Sequence, residues 1–398
     1  MKSEVLFLAH RIPYPPDKGD KIRSWRILKF LTDNYRVHLT CFADDPRDLV
    51  HRDFLETLCE SATIIPLDPR AARIKSVAAL AAGQPLSFQY FRDARMVAAV
   101  RKLRKKPLSA EIVFSSSMAP YIKKPIDDRI RLVDFCDTDA EKWRDYARDA
   151  KGPMKIIYQR EAKLLEREET DITSWADACF AVSAEEAAIF NSRADVTNTV
   201  ASFSNGVDAA YFDPIGNVAS DTPEYDCVFI GAMDYRANID GVLHFVKHVW
   251  PLVRQSQPEA TFAIVGANPA PAVAALNGEN GITVTGRVED IRPWLGAAKI
   301  SVAPLCVGRG IQNKVLEAMA MAKPVVASPA AMTGIAAPRD AALTAATNEA
   351  MAASILTLLD DATQCERIGR AARHFVLTHH QWDQALKPLE DKLTALGL

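Results

Sequence analysis

The chain has 398 residues, of which 48% are hydrophobic, and its formal net charge at pH 7 is −2. The length allows two domains with separate cores, and the near-neutral charge gives no support for nucleic acid as a partner. Seven scattered cysteines without a C-x-x-C pair predict neither a disulfide framework nor a metal site. Because no signal peptide is recognisable and no apolar stretch reaches roughly 20 residues, we expect a cytoplasmic protein without a membrane-spanning helix.

In the first half of the chain, buried strands alternate with helices. Asp20 is placed as the N-cap of the first helix, and Ser183 as the N-cap of a later helix above Glu186. The loop before Asp20 ends in Gly19, where the missing side chain would let the backbone approach a ligand. Hydrophobic runs predict strands at residues 5–9, 36–42, 62–67, 111–114, 131–135, 178–182 and 199–203.

Residues 70–107 are predicted to be helical and are strongly basic, with aromatic residues between the charges. Two interpretations remain open for this segment. It could lie on an anionic membrane, or it could be a solvated helical face.

Polar side chains follow two neighbouring strands of the first half. They are the serines at residues 115–117, and Asp134, Asp137 and Asp139. The carboxyl ends of parallel strands form the ligand crevice of open α/β sheets. Asp137 or Asp139 could therefore act as a base toward a hydroxyl group, and capping of the helix that follows is the alternative.

In the second half the pattern restarts after a polar linker at residues 212–223. The first strand of this half ends at Gly231, and the tail at 382–396 is predicted to be a single helix. Strands are predicted at residues 227–230, 261–265, 282–285, 300–305 and 323–328.

The most informative stretch is residues 308–320, where two glycines form a turn between a buried strand and a helix. Such a turn presents free backbone amides to an anion. The cations Arg309 and Lys314 flank the helix start, where they oppose the helix dipole, and a bound phosphate would explain them. Glu317, one turn deeper, could accept hydrogen bonds from sugar hydroxyls. The alternative is an ordinary βα unit in which Lys314 and Glu317 form a surface pair.

Alternating βα units in both halves predict an α/β protein with two doubly wound parallel sheets and a cleft between them. No G-x-G-x-x-G follows the first strand of either half, and no G-x-x-x-x-G-K-[ST] occurs. A dehydrogenase-type dinucleotide site and a P-loop are therefore disfavoured. H-E-x-x-H and G-x-S-x-G are absent as well.

Several motifs together resemble the retaining glycosyltransferases of family 4, which have the GT-B fold. They are Asn-Gly-Val-Asp with Tyr-Phe and Pro at 205–214, Val-Phe-Ile-Gly at 228–231, and residues 310–324 with Glu-Ala-Met-Ala at 317–320. Residues 15–23, taken with 309–320, resemble the subgroup of sugar transferases associated with exosortase (PEP-CTERM) exopolysaccharide loci.

The resemblance covers essentially the whole chain and implies two Rossmann-like domains facing across a cleft. Residues 1–213 would form the acceptor-side domain and residues 214–380 the nucleotide-sugar-binding domain. A C-terminal helix at 381–398 would cross back to the first domain.

The resemblance also implies a donor site, held mostly by the second domain. Glu317 matches the second of two family glutamates separated by seven residues, and it is expected to bind the nucleotide ribose. Arg309 stands in the position of the first glutamate. Gly310, Ile311 and Gln312 would supply backbone contacts to the diphosphate.

Two further glycines complete the predicted donor contacts. Gly19 matches the family glycine in the loop near the donor phosphates and the acceptor, and Gly231 ends the first strand of the second domain.

This sequence departs from the family in two further regions. The family has an Arg and a Lys after the first strand of the second domain, where this chain has Ala232–Met233 and Asn238, and a histidine near the place of Asp137. We expect Arg236, Arg309 and Lys314 to supply the missing positive charge. The predicted catalytic residues are Asp137, Arg236 and Lys314, and no metal is expected.

The resemblance implies a hexosyltransferase-type reaction that proceeds with retention from a UDP- or GDP-type sugar to an acceptor hydroxyl. No other cofactor is expected. The acceptor would be a carbohydrate or a lipid-linked molecule of exopolysaccharide biosynthesis. Because the first domain is basic, an anionic membrane surface is a further expected partner, on the inner face of the plasma membrane. Two alternatives are a nucleotide-sugar epimerase of the same fold, which needs no acceptor, and a non-catalytic nucleotide-sugar-binding subunit.

Overall fold

A computed structural model describes residues 2–77, 80, 83–123, 128–215 and 222–398. The chain divides into two compact units, the first formed by Met1–Phe203 with Leu386–Leu398 and the second by Ser204–Ala385. Part of the predicted basic segment (78, 79, 81 and 82) and half of the predicted linker (216–221) lie outside the described residues.

The first unit is built on a seven-stranded parallel sheet with the strand order β3-β2-β1-β4-β5-β6-β7. Its strands β1 and β4 are apolar along almost their whole length because helices cover both faces of a doubly wound sheet. The strand order reverses between β1 and β4, so the loops after these strands flank the switch point. The strands are β1 (Glu4–Ala9), β2 (Arg36–Ala43), β3 (Ser61–Pro66), β4 (Ala110–Phe114), β5 (Ile130–Cys136), β6 (Ala178–Ala181) and β7 (Val200–Ser202).

Buried glutamates satisfy the first amides of two helices in this unit, which otherwise lack intrahelical partners. Glu161 accepts hydrogen bonds from the amides of Leu86 (2.7 Å) and Ser87 (2.9 Å). Glu169 accepts one from Ala140, at the start of the helix after β5. The helices are α1 (Gly19–Asn34), α2 (Arg52–Leu58), α3 (Pro69–Val77), α4 (Leu86–Tyr90), α5 (Ala94–Leu103), α6 (Asp139–Asp149), α7 (Pro153–Trp175) and α8 (Ala184–Asn191).

The second unit repeats this architecture with a six-stranded sheet of order β10-β9-β8-β11-β12-β13, whose pairs are parallel. Its switch point lies between β8 and β11. The strands are β8 (Tyr225–Ile230), β9 (Phe262–Val265), β10 (Ile282–Gly286), β11 (Ala298–Ala303), β12 (Val325–Ala327) and β13 (Leu343–Thr344). The helices are α9 (Arg236–His248), α10 (Trp250–Ser256), α11 (Pro271–Ala274), α12 (Arg292–Ala297), α13 (Asn313–Ala320), α14 (Asn348–Asp360), α15 (Ala362–His379) and α16 (Trp382–Ala385).

The tail is not the single helix that the sequence predicts. The helix α16 ends at Ala385, and a new helix, α17 (Lys387–Ala395), begins after Leu386. Pro388 lies in the first turn of α17, where the missing N–H costs no intrahelical hydrogen bond. Leu389 lies against Ile27 and Phe203 of the first unit.

One further expectation is corrected. Asp20 is not an N-cap, because α1 begins at Gly19 and the carboxylate of Asp20 binds Arg11 (2.6 Å) and His10 (3.1 Å) instead.

In the basic segment, the apolar side chains of α4 and α5 mostly face the core, as the buried Phe88 does. Among the described residues of this segment, the exposed large apolar side chains are Ile74 and Val77 on α3 and Val97 on α5. None of the helices in the described part of the chain is long and apolar enough to cross a membrane.

Candidate functional site

Two turns flank the switch point of the second sheet, one after β8 and one after β11. Ligands of doubly wound sheets bind at this point, beyond the carboxyl ends of the strands. The turn after β8 starts at Gly231, and the turn after β11 carries the predicted anion-binding residues 308–314. The sequence prediction and the topology therefore lead to the same edge of the sheet.

The turn after β11 leaves the start of α13 open. Gly310 has a φ of +60°, a left-handed conformation that glycine adopts without steric cost. Gln312 is the N-cap residue, yet its side chain does not cap the helix and instead donates to the carbonyl of Arg309 at 3.0 Å. In the part of the chain that the structure describes, no protein acceptor is bonded to the amides of residues 310–314. These amides are available to an anion.

Lys314 is the best-defined cation of this site. Its ammonium group donates to the side-chain oxygen of Asn238 at 2.5 Å and lies 4.8 Å from the centre of the Phe229 ring. Burial lowers its pKa to about 8, and the nearby carboxylate of Glu317 opposes this shift. Because burial makes the free charge costly, a bound anion would find a cation that is poorly compensated by the protein.

Glu317 lies one turn further along α13 and is half-buried. Burial raises its pKa to about 7, and the charge of Lys314 partly offsets the shift. Within the described residues its carboxylate forms no hydrogen bond or ion pair. A partly enclosed carboxylate without partners is suited to accept hydrogen bonds from a ligand's hydroxyl groups.

Asn238 was missed by the sequence reasoning as a functional residue. Its amide nitrogen donates to the carbonyl of Ala232 (2.9 Å) while its oxygen accepts from Lys314, so it links the two turns. A Cβ atom on Gly231 would lie 2.6 Å from this amide nitrogen, so any larger residue there would displace the Asn238 side chain. In the sequence, the only indication of a role for Asn238 is its position seven residues after Gly231, and this indication is weak.

The remaining predicted residues of this unit lie around the same edge, with different exposure. Arg309 is half-buried, and Ile311 is buried next to it. Arg236, the first residue of α9, is 46% exposed and pairs with Asp240 at 3.3 Å. Asn205, from the Asn-Gly-Val-Asp motif, donates to the side chain of Asn313 at 2.9 Å and so fixes the start of α13.

Asp137 belongs to the first unit, in the loop between β5 and α6. Its carboxylate is half-buried and has no partner among the described residues. Burial, reinforced by the nearby carboxylate of Glu186, raises its pKa to about 7. Asp139 differs, because Lys142 (2.9 Å) and the hydroxyl of Ser116 (3.2 Å) bind it and hold its pKa below the usual value despite burial. Asp137 is therefore the carboxylate of this loop suited to exchange a proton.

Gly19 begins α1 and is exposed, within a turn in which Asp17, Asp20 and Lys21 are paired with charged side chains. Lys21 binds Asp17 (2.9 Å) and Asp48 (3.1 Å). The guanidinium of Arg23 binds the buried Asp134 through two nitrogens, at 2.7 and 3.1 Å. Among the described residues, no group of three or more histidine, cysteine, aspartate or glutamate side chains could hold a metal ion.

The second unit and its candidate site can now be compared with known proteins. Residues 224–361, all within the second unit, match the family model "Glycosyl transferases group 1". No curated protein shows a significant sequence match to this chain.

Solved structures match along the whole length, at low identity. Sucrose-phosphate synthase from Thermosynechococcus elongatus is 18% identical, with 99% of this chain and 100% of that chain covered and a TM-score of 0.72. HepE of Anabaena, crystallised with UDP-glucose, is 16% identical, with 98% and 99% covered and a TM-score of 0.67. WaaG, a glycosyltransferase involved in lipopolysaccharide biosynthesis, is 15% identical, with 97% and 99% covered and a TM-score of 0.67.

These likenesses confirm the GT-B fold, with two Rossmann-like domains, that the sequence predicts. The group 1 match favours a sugar transferase over the epimerase and binding-subunit alternatives. Residues 224–361 of the second unit thus resemble a glycosyl transferases group 1 domain, and the protein is a glycosyltransferase.

Proposed function

We propose that the protein transfers a sugar, with retention of configuration, from a nucleoside-diphosphate sugar of the UDP or GDP type to an acceptor hydroxyl. The observation that carries this proposal is the start of α13, where unbonded amides lie beside the buried cation of Lys314 and the unpartnered carboxylate of Glu317. A diphosphate fits the amides and the cation, and a ribose fits the carboxylate. HepE, which shares the fold, has been crystallised with UDP and with UDP-glucose.

In this proposal, the bond between the sugar's anomeric carbon and the diphosphate oxygen breaks, and its electron pair stays on the diphosphate. Lys314 and the amides of α13 stabilise the charge that develops there. Arg236 and Arg309 are the further candidates for contacts to phosphate, and Gly19, Gly231, Ile311 and Gln312 for backbone contacts to the donor. No cofactor besides the donor takes part.

The acceptor oxygen forms the new bond to the anomeric carbon, and its proton goes to Asp137. A general base works best when its pKa lies near the working pH, which the raised pKa of Asp137, about 7, satisfies. For retention, the acceptor attacks from the same face that the diphosphate leaves.

Titration calorimetry with UDP, GDP, ADP and NAD tests the donor class. We expect one nucleoside diphosphate to bind at micromolar concentration, and Glu317→Ala to weaken this binding at least about tenfold, because the ribose loses its acceptor. Glu279→Ala is the matched control, since Glu279 is an exposed glutamate of the same unit. Binding of none of the four ligands, or equal binding by Glu317→Ala and wild type, would contradict the proposal.

We further propose a carbohydrate or lipid-linked acceptor of exopolysaccharide synthesis, of the kind handled by the exosortase-associated subgroup, reached at the inner face of the plasma membrane. Helix α3 supports the membrane contact, because the exposed Ile74 and Val77 share one face with the exposed Arg70 and Arg73. Flotation with phosphatidylglycerol vesicles at low salt tests it. We expect flotation that Ile74→Ser with Val77→Ser abolishes, and failure of the wild type to float would contradict the contact.

A further inference from the structure

A cluster of aromatic side chains lies on the surface of the first unit, remote in sequence from every predicted site residue except Gly19. We call Tyr14, Trp25, His51 and Phe54 the aromatic platform. The ring centre of Tyr14 lies 5.0 Å from that of Trp25, 5.0 Å from that of His51 and 4.8 Å from that of Phe54. None of the four side chains is fully buried, and Phe54 is 44% exposed. The platform therefore presents aromatic faces to the outside.

The polar tips of the platform are unused by the protein. In the described chain, the Tyr14 hydroxyl, the Trp25 indole N–H and the His51 imidazole have no hydrogen-bond partner. Tyrosine and tryptophan that serve only to fill a core normally find such partners. Three free polar tips around exposed ring faces are the features of a surface that binds a ligand with both apolar and hydroxyl groups.

The position of the platform ties it to the reaction edge of the first sheet. Tyr14 lies in the loop after β1, and His51 and Phe54 follow β2, so the platform lies beyond the carboxyl ends of these strands. Asp137 follows β5 at the same edge. Strands β2 and β5 are three places apart in the sheet, which corresponds to about 14 Å at the usual strand spacing. That separation suits an extended oligosaccharide better than a single sugar.

The charges around the platform have both signs and largely offset one another. Residues 44–56, which carry His51 and Phe54, have five acidic and two basic residues, whereas residues 11–29, which carry Tyr14 and Trp25, have two acidic and six basic residues. Ion pairs join the two segments, as between Arg11 and Asp44 and between Lys21 and Asp48. Surroundings with little net charge suit a neutral sugar.

We infer that the aromatic platform is a subsite for a sugar ring of an oligosaccharide acceptor, several units away from the hydroxyl that reacts. The C–H face of the sugar stacks on the rings of Trp25 and Phe54, and its hydroxyl rim bonds to the tips of Tyr14 and His51. This inference rests on the proposed function, because it names the acceptor class of that same reaction.

The test begins with the fluorescently labelled full-length protein on an array of bacterial oligosaccharides, followed by calorimetry with the strongest glycan. We expect Phe54→Ala to weaken glycan binding about tenfold, as the loss of one stacked ring should. Tyr14→Phe should weaken it less, since only a hydroxyl is lost. The matched controls are Phe30→Ala and Tyr158→Phe, at half-buried positions outside the platform, and they should bind as the wild type does.

In a transfer assay, Phe54→Ala should raise the acceptor KM about tenfold and leave the donor KM and the nucleotide affinity unchanged. A wild type that binds nucleoside diphosphate but no glycan longer than one sugar would overturn the inference alone. Equal losses of glycan binding in Phe54→Ala and Phe30→Ala would also overturn it, as would a loss of vesicle flotation in Phe54→Ala. A wild type that binds no nucleoside diphosphate would instead count against the proposed function.

Discussion

The turn before α1 and the turn before α13 both combine closely spaced charges with a glycine, but they use these charges in opposite ways. Before and within the first turn of α1, Asp17, Asp20 and Lys21 are bound to other charged side chains of the same unit. At α13, Lys314 has only the neutral Asn238 as a hydrogen-bond partner and Glu317 has none in the described chain. Paired charges hold a loop in place, and buried charges left without full compensation are available to a ligand.

Two carboxylates near the carboxyl end of β5 differ in the same way. Asp134 is buried and bound by the guanidinium of Arg23, which also donates to the carbonyl of Phe203 and lies over its ring. Asp137, three residues later, has no such partner and has a raised pKa. A polar residue near the carboxyl end of a strand therefore identifies the edge of the sheet, but its pairing decides whether it supports the fold or the chemistry.

The largest effect on stability should come from breaking the buried ion pair between Arg23 and Asp134. Asp134→Asn leaves the Arg23 charge buried without its counter-ion, and we expect the free energy of unfolding to fall by about 3–5 kcal/mol. Urea titration of both proteins measures this. Asp17→Asn is the control, because its pair with Lys21 is partly exposed and Lys21 keeps Asp48, so the loss should stay below about 1 kcal/mol. Similar losses in both variants would show that the burial of Arg23 does not matter.

Replacing the unpaired cation should affect activity and stability in opposite directions. Lys314→Met removes the charge that faces the leaving diphosphate, and we expect kcat to fall about 100-fold or more. Because burial lowers the folded-state pKa of Lys314 from 10.5 to about 8, the charge destabilises the fold increasingly as the pH falls below about 10.5, and the full effect is present below about 8. The ligand-free variant should therefore have a higher melting temperature at pH 7.

The control for this variant is Lys247→Met, at an exposed position of α9. It should change neither turnover nor melting temperature appreciably. Near-normal turnover of Lys314→Met would remove Lys314 from the proposed mechanism, and a lower melting temperature would show that the protein itself compensates the charge.

The smallest but most specific effect concerns the pH dependence of Asp137. Its pKa is raised to about 7, so the carboxyl is protonated at lower pH and cannot accept the acceptor's proton. At saturating donor, kcat should therefore rise with pH and level off above about 7. Asp137→Asn should lower kcat by about 100-fold and remove this rise, while Asp195→Asn, an exposed control, keeps both. A rise that persists in Asp137→Asn would assign the titration to another group.

The sequence allowed most elements of the fold to be predicted because buried parallel strands are continuous apolar runs and glycines mark the turns. The strand before α13 and its glycine turn lie where they were expected. The elements that escaped prediction are short, such as α2 and the two-residue β13. Their local patterns are too brief to separate them from loops, and they form because neighbouring elements pack against them.

The candidate site was predictable in its residue types and only partly in its connections. Lys314 and Glu317 lie on one helix, so their proximity follows from the helical repeat. The link from Lys314 to Asn238 joins residues 76 positions apart, and no pattern in the sequence indicates it. The same holds for Asp20, which the local pattern placed as an N-cap, although Arg11 and His10 bind its carboxylate in the folded chain.

The sequence by itself determined the alternation of strands and helices, the glycine turn that opens α13, and the charged residues that lie near the two sheet edges. These depend on neighbours within a few positions, where hydrophobic period and backbone freedom act. Only the tertiary structure decided which charges are compensated, because the partners of Arg23 and Lys314, and Asp48 as the second partner of Lys21, come from distant parts of the chain. Burial and pairing in the fold thus made Arg23 a structural residue and left Lys314 and Asp137 for chemistry.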